Sequence, residues 1–247
     1  MISDPWVPLA QAYAANRIGY SNELYDTIAA YGLRGGSTVL DVGCGTGIAA
    51  EPFARRGFTV TGADPSESMI AQAKKLLPNV EFVRASAESL PFPNERFDVL
   101  ISAQAFHWVD RAAALREAHR VLRRGGIIAI CWKHLMGSDP VKELRDRAFQ
   151  ALGHEAAPSG LSGGFKEFYA SPDFADQMLR VIPWRTSMRL DRYMGYERSR
   201  RNVRDALGSR TGEYFALLET GLRELFSGGN PTIALAYVQY LYLAKNR

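Results

Sequence analysis

Val39-Leu40-Asp41-Val42-Gly43-Cys44-Gly45-Thr46-Gly47 decides the fold of this 247-residue chain. The run from Thr38 to Val42 is short, apolar and β-branched, the signature of a buried strand. Ile48, Ala49, Phe53 and Ala54 then recur at helical spacing up to Gly57, where a helix would stop. The unit is therefore strand, glycine turn, helix. Glycines 43, 45 and 47 let the backbone turn tightly against a ligand, and the start of the helix offers unpaired amides. The spacing Asp-x-Gly-x-Gly-x-Gly departs from the dinucleotide fingerprint Gly-x-Gly-x-x-Gly. A phosphate-binding loop is excluded, because no Lys follows the glycines.

The rest of the chain repeats the alternation. Thr59 to Ala63 reads as a second strand ended by Asp64-Pro65, and Ser66 as the N-cap of a helix whose buried face carries Met69, Ile70, Ala73, Leu76 and Leu77. Val80 to Arg84 is a third strand. Phe97 to Ser102 is a fourth, and Ile127 to Trp132 a fifth. The helical stripe Ala112, Leu115, Ala118, Leu122 lies between those two. Before the first strand, Ser21 is placed to cap a helix carrying Leu24, Tyr25, Ile28 and Ala29. Such a succession predicts right-handed βαβ units and a parallel sheet. Beyond residue 133 the pattern thins. A helix is expected over Val141 to Leu152, a strand over Trp184 to Leu190, helices between Asp191 and Phe226, and a final strand over Ala234 to Leu243.

Composition narrows the class. At 47% hydrophobic and 23% charged the chain is that of a globular protein. A formal charge of +4 permits anionic ligands without requiring nucleic acid. The arginines between Arg189 and Arg210 are interleaved with Asp191, Glu197 and Asp205, as on a solvated or lid-facing helix. Cys44 and Cys131 have no disulfide or metal-site spacing, so a reducing compartment and no metal are expected. Neither a signal pattern nor a membrane-spanning run is read, and the expected location is cytoplasmic.

The glycine turn, the carboxylate ending the second strand and the segment Ala85-Ser86-Ala87-Glu88-Ser89-Leu90-Pro91-Phe92 occur in the order of class I S-adenosylmethionine (SAM)-dependent methyltransferases, which this chain resembles over about its first 135 residues. The resemblance implies a Rossmann-like, doubly wound α/β sheet of about seven strands, mostly parallel with an antiparallel last strand, plus a helical lid insertion. It implies one domain over 1–247, with a leading segment over 1–34, a cofactor core over 35–135, and lid and acceptor-pocket elements over 133–183 and 191–230. The cofactor, SAM, and its product S-adenosylhomocysteine (SAH) would meet Asp41, Gly43, Gly45 and Gly47. They would also meet Asp64, Pro65, Ser66, Met69, Ser86, Ala87, Glu88 and Ser102. The spacing of Tyr13, Arg17 and Tyr20 is similar to a segment that folds over the cofactor in small-molecule methyltransferases. Ile18-Gly19 and Ser21 depart from that pattern, and Ser86 stands where the family usually has Asp.

After the fourth strand the chain reads Ala103-Gln104-Ala105-Phe106-His107-Trp108-Val109-Asp110, beyond the carboxyl end where open sheets bind ligands. Its His-Trp pair is similar to that of the ubiquinone-type and trans-aconitate-type branch. The Asn/Asp-Pro-Pro-Tyr/Phe segment of many nucleic-acid methyltransferases is not there. His107 is the candidate base. Tyr13, Phe106, Trp108, Trp132, His134, Tyr193 and Tyr196 are candidates for the acceptor pocket. The expected activity is methylation of oxygen or nitrogen on a small metabolite, such as a planar heteroaromatic intermediate. Carbon methylation of a quinone precursor, nucleic-acid methylation and a non-catalytic SAM-binding regulator stand as alternatives. The sequence gives no reading of oligomeric state.

Overall fold

In the computed structural model, residues 4–136, 139–155, 166–227 and 230–247 are described. Two helices lead in, α1 (Ala10–Asn16) and α2 (Asn22–Ala30). The alternating core follows: β1 (Thr38–Val42), α3 (Ala50–Arg55), β2 (Thr59–Asp64), α4 (Glu67–Leu76), β3 (Glu81–Arg84), β4 (Phe97–Ala103), α5 (Arg111–Val121) and β5 (Leu122–Leu135). Then come α6 (Pro140–Ala151), α7 (Lys166–Ala170) and β6 (Phe174–Arg189). The helices α8 (Leu190–Arg198), α9 (Arg201–Leu207) and α10 (Thr211–Phe226) precede β7 (Thr232–Asn246). The seven strands form one sheet in the order β3-β2-β1-β4-β5-β7-β6. Pairing is parallel from β3 through β5, and β7 runs antiparallel to both β5 and β6.

Side chains alternate across each strand, and the two faces are covered separately. On one face Val39, Val99, Ile101, Ala129 and Cys131 meet Leu24, Tyr25 and Ile28 of α2 and Phe53 of α3. On the other, Leu40, Leu100, Ile128, Ile130 and Trp132 meet Leu115, Ala118 and Val121 of α5 and Phe168 of α7. The caps expected at Ser21 and Ser66 form: their hydroxyls accept from the amides of Leu24 (3.3 Å) and Met69 (3.2 Å).

A third core joins the helices of the expected lid, hereafter the lid. Val141 and Phe149 of α6, Tyr193 and Met194 of α8, Val203 of α9, and Tyr214, Leu218 and Leu222 of α10 pack on Met188, Ile233, Leu235 and Tyr237 of the β6–β7 pair. Helix α6 lies where the sequence predicts it. Strand β6 is much longer than Trp184 to Leu190. It starts at Phe174, so part of the segment expected to be lid, over 133–183, is sheet. As an edge strand β6 is half in water, and its polar Gln177 and Arg180 and its Pro183 obscure the alternation. Within the same expected lid, 137–138 and 156–165 lie outside the described residues, as do 228–229 in the second lid stretch.

Candidate cofactor and acceptor site

The site is built on the carboxyl ends of β1, β2, β4 and β5. Asp41 lies in the buried part of β1 at 0% exposure, and neither carboxylate oxygen has a side-chain partner or a well-aligned hydrogen bond; the nearest donor is the Ala50 amide at the start of α3. Burial, helped by the nearby Asp64 charge and only partly opposed by the Ala50 amide, pushes its carboxyl up to about 8. The turn beside it has φ of 70°, 53° and 83° at Gly43, Gly45 and Gly47. Two of these glycines are needed for different reasons. A Cβ on Gly43 would land on the Cβ of Ala105, from the loop after β4. A Cβ on Gly45 would make only an ordinary contact with Met69, so what excludes a side chain there is the left-handed backbone.

Asp64, at the end of β2, braces the turn. One oxygen accepts from the Gly45 amide and the other from the Ser66 amide, each at 2.8 Å. Burial raises its pKa above the usual carboxylate range in spite of those bonds. The sequence does not announce the next contact. Asp4 Oδ2 accepts from the hydroxyls of Ser66 and Ser68, both at 2.8 Å, and so lays the leading segment over Pro65 and the start of α4. Burial opposes the Asp4 charge, yet bonds from the Trp6 amide, Ser68 and Ser66 hold its pKa low. Met69 is buried against the turn. Past β3, Ser86 bridges to Ser89, Ala87 is buried, and Glu88 accepts from the Asp110 amide at 2.9 Å, tying this loop to the start of α5. Ser102 is buried on β4.

The aromatic candidates divide. Phe106 and Trp132 are core residues beneath the site, at 3% and 2% exposure. Trp132 also holds His107: its Nε1–H donates to His107 Nδ1 at 3.3 Å. Indole nitrogen can only donate, so Nδ1 accepts and the neutral ring carries its proton on Nε2. Burial, followed by the Arg111 charge, lowers the His107 pKa. His134, two residues further along the same face of β5, stands near Tyr240. Its Nε2 is buried with no partner, and its pKa is lowered by burial and by His107. Trp108 is 60% exposed, with the Arg201 guanidinium of α9 over its ring at 5.5 Å; Arg201 also covers Trp6 at 5.8 Å. Arg17 lies between the rings of Tyr13 (4.4 Å) and Tyr196 (4.7 Å) and donates to Ser199 Oγ at 3.0 Å. Tyr193 is elsewhere. At 0% exposure it sits inside the lid core and donates to Glu197, so its place is structural rather than in the pocket. His119 binds Asn246 of β7 at 2.7 Å, far along the strands from the turn.

A methyltransferase domain family model matches residues 40–130, from the end of β1 to β5. Over those residues the chain is similar to a methyltransferase domain. It is 36% identical over 121 residues to an uncharacterized methyltransferase of Mycobacterium tuberculosis, covering 49% of each chain. It is 37% identical over 142 residues to the ubiquinone/menaquinone biosynthesis C-methyltransferase UbiE of Escherichia coli, covering 53% of this chain and 55% of that one. The chain thus spans about half the length of the curated relatives it matches. The solved structure of a candidate type II methyltransferase from Anaeromyxobacter dehalogenans is similar over nearly the whole length. It has a TM-score of 0.69 and 28% identity, and covers 94% of this chain and 97% of that one. Among the described residues no cluster of three or more His, Cys, Asp or Glu is arranged to hold a metal, and no helix is long and apolar enough to cross a membrane.

Proposed function

We propose that this protein transfers the methyl group of SAM to oxygen or nitrogen of a small-molecule acceptor. The observation that carries the reading is Asp41, a fully buried carboxyl with no side-chain partner for either oxygen, beside a turn of left-handed glycines. A buried carboxyl without a partner is costly to a fold, and a cationic ligand relieves that cost. SAM supplies an electrophilic methyl group on a sulfonium and an ammonium at its amino-acid end.

Asp41 and the turn amides would hold the amino-acid end, Asp64 and Ser66 the ribose, and Met69 with Ser86 to Glu88 the base. Tyr13 and Arg17 would close over them. These residues would bind and orient the two reactants, which is the main source of acceleration in an in-line methyl transfer. His107 offers an N–H from Nε2 to an acceptor oxygen or nitrogen and so orients it. To take a proton at Nδ1 it must first give up the Trp132 bond. The similarity to a relative named as a C-methyltransferase supports a second reading, methylation of an activated carbon on a quinone-like ring.

The test is calorimetric binding of SAH, then methyl transfer from SAM to a panel of phenols, amines, carboxylic acids and reduced quinones, with oligonucleotides as a separate arm. Binding of SAH and turnover of a small acceptor are expected, with binding abolished in Gly45→Val. A folded protein that ignores SAH overturns the cofactor assignment, and turnover of oligonucleotides alone overturns the acceptor class.

A further inference from the structure

Lys133 is the only buried lysine among the described residues, at 8% exposure. It continues β5 directly after Trp132, on the opposite face. Its ammonium donates to the carbonyl of Ile18 and to that of Gly19, the latter at 2.6 Å. It faces the ring of Tyr20 at 4.6 Å, with Trp184 and Tyr237 at 5.8 and 6.0 Å. No carboxylate among the described residues pairs with it. Three parts of the site meet there. The Lys133 carbonyl accepts from Gln104 in the loop after β4 at 2.9 Å, and Gly19 packs beside Ile48 of the glycine turn.

Arg17 is alike in its charge. It has π faces on both sides and Ser199 as hydrogen-bond partner, and no carboxylate among the described residues. Burial, then repulsion from Arg17, brings the Lys133 amine down to about 7. A buried ammonium is an expensive way to pin two carbonyls, because a neutral donor would do so with far less desolvation. It also has three N–H groups, of which the carbonyls take two.

We propose that Lys133, with Arg17 across the leading segment, receives a carboxylate-class anion at the rim of the site. That anion comes either from the amino-acid end of the cofactor or from an acidic acceptor. The proposal rests on the cofactor reading above. Besides Arg17, the groups facing the amine are Tyr20 of the leading segment, Cys131 of β5, Trp184 of β6 and Tyr237 of β7. The thiol and both phenols are held neutral by burial, so an arriving carboxylate is the charge that sets the protonation of Lys133.

The experiment compares wild-type protein with Lys133→Met, which keeps most of the apolar stem. SAH and 5′-methylthioadenosine, which lacks the amino-acid end, are titrated calorimetrically at pH 8 in buffers of different ionisation enthalpy. If the cofactor supplies the anion, the variant weakens SAH by about 10- to 100-fold, leaves methylthioadenosine unchanged, and loses the proton uptake that accompanies SAH. If the acceptor supplies it, SAH is unchanged, while benzoate binding to the SAH-saturated protein is lost and benzamide is unaffected.

The proposal is overturned if Lys133→Met binds SAH and benzoate as wild type does, or if SAH is unchanged and wild type does not prefer benzoate to benzamide. Should the variant not fold, wild type alone decides. The SAH carboxamide or benzamide should then bind at least about ten-fold more weakly than its charged parent at pH 6, with the gap narrowing by pH 9. Equal affinities at both pH values overturn the proposal. Failure of wild type to bind SAH at all breaks the cofactor reading instead.

Discussion

The cofactor half and the lid half both bury charge, and they treat it in opposite ways. In the lid, Glu197 is 0% exposed and fully compensated: Arg145 and Arg200 stand at 3.3 and 3.0 Å, and the hydroxyls of Tyr193 and Tyr214 both donate to it at 3.1 Å. In the cofactor half, neither Asp41 nor Lys133 has a side-chain counter-ion among the described residues. A charge whose partners come from its own fold serves architecture. A charge left without them is set for something the chain binds.

The sharpest way to break this comparison is to remove the lid acid. Glu197→Gln should cost about 3–5 kcal/mol of stability in urea unfolding, because two largely covered arginines lose their buried counter-ion. A loss below about 1 kcal/mol would mean that water compensates them as it does for surface pairs.

Asp41→Asn should behave in the contrary sense. Folding raises the Asp41 pKa from near 3.9 in an open chain to about 8. The unfolded chain therefore ionises first, and ligand-free stability falls as pH rises from about 4 to about 8. The Asn variant lacks this loss. It should match wild type near pH 4 and exceed it by a few kcal/mol at pH 8.5 in melting experiments without cofactor, while binding SAH about 10- to 100-fold more weakly. Lower stability at pH 8.5 would show that the carboxylate is compensated after all.

A smaller effect sharpens the assignment of His107. Trp132→Phe removes the donor to Nδ1 and should cost about 1–2 kcal/mol. It should also move the His107 titration, followed by NMR, upward from its lowered position, because the neutral ring loses a stabilising bond. An unmoved titration would return Nδ1 to service as a base.

Smallest is Arg201→Ala. Stacking of a guanidinium on rings that are still partly in water is worth about 0.5–1 kcal/mol. The change should therefore alter Trp6 and Trp108 fluorescence and shift SAH affinity by only a few-fold. An effect of a hundred-fold would make α9 part of the binding site proper.

Why the two halves differ in how far sequence reveals them follows from the same contrast. Asp41, the glycines, Asp64 and the Ser66 cap lie within one strand-turn-helix pattern and its repeat, where local spacing carries the structure. The lid core joins Phe149, Tyr193, Val203, Tyr214 and Tyr237 from five separate elements, so its helices can be read as stripes but not their partners. Glu197 lies in an arginine-rich run with the pattern of a solvated face. It is buried because Arg145 and Tyr214 reach it from α6 and α10, which no local spacing expresses. Tyr193 belongs to that network rather than to the pocket for the same reason. Asp4 carries no signal beyond an acid near Trp6. Lys133 does have one: a lysine directly continuing an apolar strand is a charge placed where a core residue is expected.

The position of β7 sets a clock on assembly. Strand β5 is complete at Leu135, but the strand that covers its edge begins only at Thr232, and β6 with the lid emerges in between. At about 5–20 residues per second of synthesis, the apolar edge of Ile127 to Leu135 waits on the order of 5–20 seconds for its neighbour. An uncovered edge of that length is a template for pairing with other chains. The interval before β7 arrives is therefore when a newly made copy is most exposed to aggregation, and when a chaperone has most to protect.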